Sequence, residues 1–256
     1  MIKILEKRTE KDPLTHIGEN AGICWGADIS DEEKNINRGK SCMKSGHMRC
    51  AEYPTVEMIL DEFSARVIRE TYTHIIGVTR LQESTRYVNC ADFGYYTPNG
   101  ITEEQKEVYD DIMKEIMKSY ETLLNLGMSK EDSANILPLG MNTKIVWKIN
   151  LRALIHFMNM RMCNRAYKEI RQLCKEIKDL LSNYSDEWKW ICDNYFVPNC
   201  KMIGYCTEEK CCGMMPKGLE GLKEKIIEDY LSKSDDLKWS GFHINQARKI
   251  PPFKVE

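Results

Sequence analysis

The chain has 256 residues, 42% of them hydrophobic and 30% charged, which is enough apolar surface for a packed core and excludes wholesale disorder. Its 37 basic and 39 acidic residues leave a net charge of -2, so a global electrostatic footprint for nucleic acid is excluded, while a local basic pocket for one small anion is not. No apolar run approaches the roughly 20 residues of a membrane span, and Met1 to Pro13 is charged without an apolar centre, so neither a span nor a secretory leader is expected.

Residues 1–45 read as a strand or loop followed by a short helix. Thr55 to Phe63 alternates as a strand does. Ser64 is then a plausible N-cap for a helix reaching about His74, which Gly77 ends. Residues 79–90 concentrate hydrogen-bonding side chains, and Pro98-Asn99-Gly100 signals a turn. Thr102 before acidic residues caps a helix in which Tyr109, Ile112, Ile116, Tyr120 and Leu123 recur at helical spacing up to Gly127. Asn135 to Pro138 is an extended or turn element, and Thr143 to Ile149 is strand-like. A long helical pattern runs from about Asn150 to Leu181, with a possible break at Cys163-Asn164. A shorter helix starts near Asp186, and Leu219 to Leu231 is a helix candidate in a lysine-rich tail. A few strands among several long helices point to an α+β fold, with a mixed or antiparallel sheet flanked by helices. The expected division is a catalytic domain over 1–198 and a cysteine-containing turn with a polar extension over 199–256.

No glycine-rich phosphate loop, His-Glu-x-x-His, nucleophile elbow or kinase motif is present. In Arg80 to Tyr87, Ser84 and Arg86 can together grip a phosphate, one through a hydroxyl and the other through a bidentate guanidinium. The same residues also read as a solvated loop. Arg152 and His156 are four apart and share a helical face, whereas Arg161 falls near the opposite face of an unbroken helix. Such a pattern fits either a wet amphipathic face or functional groups on both faces at a subunit boundary. Eleven cysteines without an export signal read as reduced thiols of a cytoplasmic protein. Only Cys200, Cys206, Cys211 and Cys212 are dense. They supply enough thiolates for a tetrahedral zinc, but their spacing is not that of the usual CxxC pairs, so no metal is assigned and reduced thiols in a turn are the simpler reading.

Taken in order, these segments resemble the flavin-dependent thymidylate synthases, the ThyX family, in a divergent subtype. The family's RHRxxSxNExSxRY ends here as Gln82-Glu83-Ser84-Thr85-Arg86-Tyr87. Ser45-Gly46-His47 followed by Glu52 is similar to GHxSxxEH. Leu137-Pro138, Asn150-Leu151-Arg152, His156-Phe157, Arg161 and Glu169-Ile170-Arg171 keep the family's order and spacing. The resemblance spans about Ile23 to Pro198.

It implies an α+β homotetramer with active sites built from several subunits. The implied reaction is reductive methylation of dUMP to dTMP, with methylenetetrahydrofolate supplying the carbon and NADPH reducing FAD. It implies Arg161 as the catalytic cation that withdraws charge from the pyrimidine. It implies cofactor contacts at His47, Arg49, His74, Gln82, Asn150, Arg152 and His156. Substrate contacts are implied at Thr71, His74, Gln82, Glu83, Ser84, Thr85, Arg86 and Arg161. No nucleic acid or membrane partner is implied.

The departures are specific. His74-Ile75-Ile76 stands where the family has Arg-His-Arg, Gln82 replaces a glutamate, Leu81 an asparagine, and Thr71 a glutamine. Arg80 and Arg66 are expected to restore part of the lost charge. The altered pocket leaves three rivals: alkylation of another pyrimidine nucleotide, a catalytically silent nucleotide-binding or assembly protein, and a zinc-stabilised interaction module.

Overall fold

The strand-like alternation of residues 55–63 places Val56, Met58 and Leu60 on one face, and all three are buried. In the computed structural model, which describes residues 1–232, they belong to β2 (Thr55–Ser64) of a four-stranded sheet. The other strands are β1 (Ile2–Ile4), β3 (Val78–Gln82) and β4 (Asn142–Asn150), in the order β1-β2-β4-β3 with every pairing antiparallel. In β4 the buried set is Thr143, Ile145, Trp147 and Ile149. The register of β2 on β4 shifts between Leu60 and Phe63, where Glu62 adopts φ 63°, a bulge that turns the strand toward the helix behind it.

The helices of this body are α1 (Pro13–Cys24), α2 (Glu32–Lys44), α3 (Ala65–Thr71), α4 (Glu103–Asn125), α5 (Lys130–Ser133), α6 (Leu151–Arg161), α7 (Lys168–Ser182) and α8 (Asp186–Tyr195). The inner faces of α6, α7 and α8 join the sheet residues in one apolar cluster. Trp147 of β4 meets Phe157 of α6 edge to face at 5.0 Å. A second, smaller cluster holds Cys90, Phe93, Met113, Tyr120 and Met141. Clustering of contacts separates residues 1–197 from residues 198–256; within the latter, α9 (Asn199–Ile203) and α10 (Gly218–Ser232) are described.

Three expectations need correction or sharpening. Residues 1–45 contain two full helices after β1, not one short helix. They approach closely at glycines, which give no hydrophobic periodicity to read. A Cβ on Gly18 would lie 1.9 Å from the Asn35 carbonyl oxygen, and one on Gly39 would lie 2.1 Å from that of Leu14. Residues 78–82 form a strand where the polar stretch showed no alternation, because β3 is an edge strand with no buried face. The long pattern over 150–181 is two helices, broken between Arg161 and Lys168.

Two buried carboxylates fasten helix starts. Glu187 of α8 accepts hydrogen bonds from Leu14 N (2.6 Å), Thr15 N (3.0 Å) and Thr15 Oγ1 (2.5 Å), capping α1, whose own N-cap residue Asp12 makes no side-chain cap. Glu169 of α7, 3% exposed, accepts from Ser64 N (2.7 Å) and Ser64 Oγ (2.6 Å). Ser64 Oγ in turn accepts from Val67 N at the start of α3 (3.2 Å). Burial pushes the Glu169 carboxyl above the usual carboxylate range, and the two hydrogen bonds from Ser64 pull it back. Glu169→Ala leaves a buried amide and hydroxyl unpaired and should cost about 2–4 kcal/mol in urea unfolding. Glu169→Gln keeps an acceptor and removes the buried charge, so its cost should be about 1 kcal/mol or less. Equal losses for the two variants would contradict this account.

Candidate functional site

Both central strands run directly into helices. β2 leads through Ser64 into α3, and β4 leads through Asn150 into α6. Asn150 is the N-cap of α6: its Oδ1 accepts from Ala153 N at 2.8 Å. Its own N–H donates to the Gly77 carbonyl at 2.9 Å. Gly77 has φ 73°, and a Cβ there would lie 2.4 Å from Asn150 Nδ2, so only glycine fits. The turn after α3 is thereby held against the start of α6.

A cavity of about 850 Å³ opens at this junction, lined by Glu52, Thr73, His74, Ile75, Ile76, Gly77, Asn150, Arg152, Ala153 and His156. It therefore faces the N-terminus of an 11-residue helix, where backbone N–H groups favour anions. Arg152 projects into it and donates to Glu52 at 2.5 Å. The opposing wall is apolar, with Ile75 75% and Ile76 89% exposed.

His74 is the hub. Its ring lies 5.6 Å from His156 and 5.0 Å from Phe157, both edge-on. Arg161 Nε donates to His74 Nε2 at 3.3 Å, which makes that nitrogen an acceptor and places the ring proton on Nδ1. Arg80 donates to the His74 carbonyl and stacks on Tyr72 at 4.6 Å. Burial, and then the charges of Arg161, His156 and Arg80, push the His74 imidazole down to about 4.

Arg161 ends α6 behind His74 and does not line the cavity. Its Nη1 pairs with Glu70 Oε2 at 2.8 Å, and its Nη2 donates to Thr73 Oγ1 at 2.9 Å and to the Glu70 carbonyl at 3.4 Å. The helical-wheel expectation had Arg161 turned away from Arg152 and His156. The turn carrying His74 and Thr73 spans both, so these groups surround one piece of backbone.

Of the expected cofactor residues, His74, Asn150, Arg152 and His156 share the cavity. His47 is exposed on the loop after α2, and Arg49 reaches Glu52 at 3.8 Å. Gln82, at the far end of β3, accepts from Tyr72 Oη at 3.1 Å and donates to Thr143 Oγ1 at 3.4 Å.

Of the expected substrate residues, His74 lines this cavity, and Glu83 to Arg86 fall elsewhere. Glu83 and Thr85 line a separate hollow of about 310 Å³ with Asp61, Glu62 and Asp92 among its walls. Ser84 Oγ accepts from Arg86 N at 3.3 Å, while the Arg86 guanidinium reaches Glu131 at 3.1 Å. Thr71 is fully buried, its hydroxyl donating to the Ile68 carbonyl at 2.6 Å. Arg66 lies over Tyr167 at 4.8 Å and does not line the cavity. Glu70, Thr73 and the Glu52–Arg152 pairing were not anticipated as site features. Partners 91 and 100 residues apart leave no local sequence signal.

With this geometry in hand, comparison with known proteins is decisive for ancestry. The family model described as thymidylate synthase complementing protein matches residues 5–184. The chain belongs to that family. It is 28% identical over 195 residues to a flavin-dependent thymidylate synthase of Pyrococcus furiosus, covering 74% of this chain and 77% of the relative. To that of Geobacter sulfurreducens it is 31% identical over 191 residues, covering 70% and 82%. To that of Nitratidesulfovibrio vulgaris it is 27% identical over 214 residues, covering 75% and 82%. Among the described residues no helix is long and apolar enough to cross a membrane.

The depressed His74 has a signed consequence. Its folded value lies below the ordinary 6.5, so its neutral form contributes stability above that pH, and the contribution is lost as pH falls toward about 4. The thermal midpoint of the wild type should fall more steeply between pH 7 and pH 4.5 than that of His74→Gln, which keeps a neutral acceptor. Parallel profiles would show that His74 does not carry the charge-exclusion assigned to it.

Proposed function

We propose that this protein is a flavin-dependent thymidylate synthase that reductively methylates dUMP to dTMP. The observation that carries the reading is the convergence of His74, Asn150, Arg152 and His156 on one cavity. These are positions that the family resemblance assigns to the flavin, and they are drawn from two segments more than seventy residues apart.

The residues present fit such a cofactor. The cavity lies in the size range of cofactor sites. A helix N-terminus and the Arg152 guanidinium suit the phosphates of FAD. The isoleucine pair and two imidazoles offer apolar and edge surfaces to its rings. When bound, FAD reduced by NADPH supplies the hydride, and methylenetetrahydrofolate supplies the carbon.

The protein's own work is positioning and charge. Arg152 anchors, with Glu52 holding its orientation. Arg161 provides a fixed cation to stabilise negative charge developing on the pyrimidine N3 and O2, and Glu70 and Thr73 set its direction. His74 stays neutral between Arg161 and His156, so it adds no competing charge. Arg80 is the cation left beside the turn where the family's arginines are missing, and it takes over part of the nucleotide charge. Arg66, committed to Tyr167, does not share that task.

Ser84, Thr85 and Arg86 follow the far end of β3, five residues from the cavity end, or roughly 16 Å along a strand. They do not line the cavity at Asn150. We therefore assign them to the substrate of a neighbouring copy in a homotetramer, with each site shared between chains. No comparable observation favours another nucleotide as substrate.

Purified protein should show a flavin absorbance spectrum and release tritium from 5-tritiated dUMP but not from 5-tritiated dCMP. Arg152→Ala should weaken flavin binding at least tenfold, about 1.4 kcal/mol. Arg161→Ala should keep the flavin while lowering tritium release about a hundredfold or more. Arg80→Ala should weaken dUMP binding about tenfold. A flavin-free protein, or exchange at dCMP in preference to dUMP, would overturn the assignment.

A further inference from the structure

The segment after Pro198 has a different character from the body before it. Between Asn199 and Lys217 the one buried residue is Cys206. Met202, Ile203 and Met214 are each about 40% exposed, so this stretch holds no apolar core of its own. Its backbone is nonetheless closed into a defined loop. Cys206 N donates to the Pro216 carbonyl at 2.7 Å, Gly218 N donates to the Cys206 carbonyl at 2.9 Å, and Cys206 forms a parallel bridge with Lys217. So short a segment without a core ordinarily needs a covalent or metal staple.

Four cysteines stand in this loop, and their local geometry suits sulfur ligands. Gly213 N donates to Cys211 Sγ at 3.4 Å. The Glu208 amide donates to Cys206 Sγ in the same i to i+2 relation. A backbone N–H is thus turned onto each of these two sulfurs, the atoms a thiophilic cation binds. The Cys206 and Cys211 side chains hydrogen-bond each other, and Cys200 is near enough to act electrostatically on Cys206. Cys211 Sγ also meets the Met215 carbonyl at 3.4 Å. Cys212 is exposed at the tip of the turn. Among the described residues no three His, Cys, Asp or Glu side chains already close on a single point. The Cys206–Cys211 pair is thus the preformed half of a site, and Cys200 and Cys212 have to turn in to complete it.

We propose that Cys200, Cys206, Cys211 and Cys212 form a structural site for one thiophilic divalent cation of the zinc class, which staples the 199–217 loop. On binding, each coordinating thiol gives its proton to solvent, and the cation takes four sulfurs at about 2.3 Å in a tetrahedron. Affinity consequently falls as pH drops. The proposal does not depend on the activity proposed above.

The test uses the full chain, reduced, dialysed against chelator and titrated with Co²⁺ alone. Tetrahedral thiolate coordination gives a near-ultraviolet sulfur-to-cobalt band and visible ligand-field bands. Both should saturate at one Co²⁺ per chain and vanish when Zn²⁺ is added. Cys206→Ser and Cys211→Ser should each weaken Co²⁺ binding at least tenfold, while Cys24→Ser, an exposed cysteine elsewhere, should leave it unchanged. Circular dichroism checks that each variant keeps its helices. Intact mass of the wild type, handled without reductant, reports the alternative of a disulfide. Absence of the sulfur-to-cobalt band, its persistence in Cys206→Ser, or the loss of two hydrogens at Cys206 and Cys211 would overturn the proposal.

Discussion

Asn150 is the joint on which the site depends. One residue ends the central strand β4, starts α6 through its side-chain cap, and ties the turn after α3 to that start through Gly77. Each of these contacts alone is an ordinary cap or backbone bond worth about 1 kcal/mol. Their coincidence decides geometry. The helix N-terminus, Arg152 and His156 on one side, and Thr73 to Gly77 on the other, become the walls of one cavity. Gly77 is required because a side chain there would occupy the space of the Asn150 amide.

Charge around this joint is balanced in pairs. Arg152 leans on Glu52 and Arg161 on Glu70, while Arg80 stacks on Tyr72. Arg161 and Arg80 lie close to His74, whose ring stays neutral because burial, and then the charges of Arg161, His156 and Arg80, oppose a further positive charge. The result is a preorganised arrangement of donors aimed around a neutral ring. Such an arrangement lets a protein stabilise developing negative charge without first reorganising itself. With His74-Ile75-Ile76 in place of the family's Arg-His-Arg, this turn carries two arginines fewer, and Ile75 and Ile76 stand exposed on the cavity wall.

The two ends of β3 separate tasks that must meet in the reaction. The cavity end carries the groups suited to a cofactor, and the far end carries Ser84 and Arg86. An edge strand suits this division, because among the described residues no further strand pairs with its outer side, where Leu81 is 72% exposed.

The sequence by itself determined the elements with strong local signals. These are the alternating strands β2 and β4, the Ser64 and Thr102 caps, the periodic helices α4 and α7, and the motif positions that mark the family. Those features rest on neighbours within a few residues. It gave one short helix where α1 and α2 stand, since their close approach rests on glycines such as Gly18 and Gly39, and it gave no strand for β3, none of whose residues is fully buried. Only the tertiary structure decided that Thr71 is sealed in the core, that Arg161 turns to Glu70 and His74, and that Arg66 spends its charge over Tyr167. Each of those outcomes depends on a partner brought close by packing, and no periodicity along the chain encodes which distant side chain that partner is.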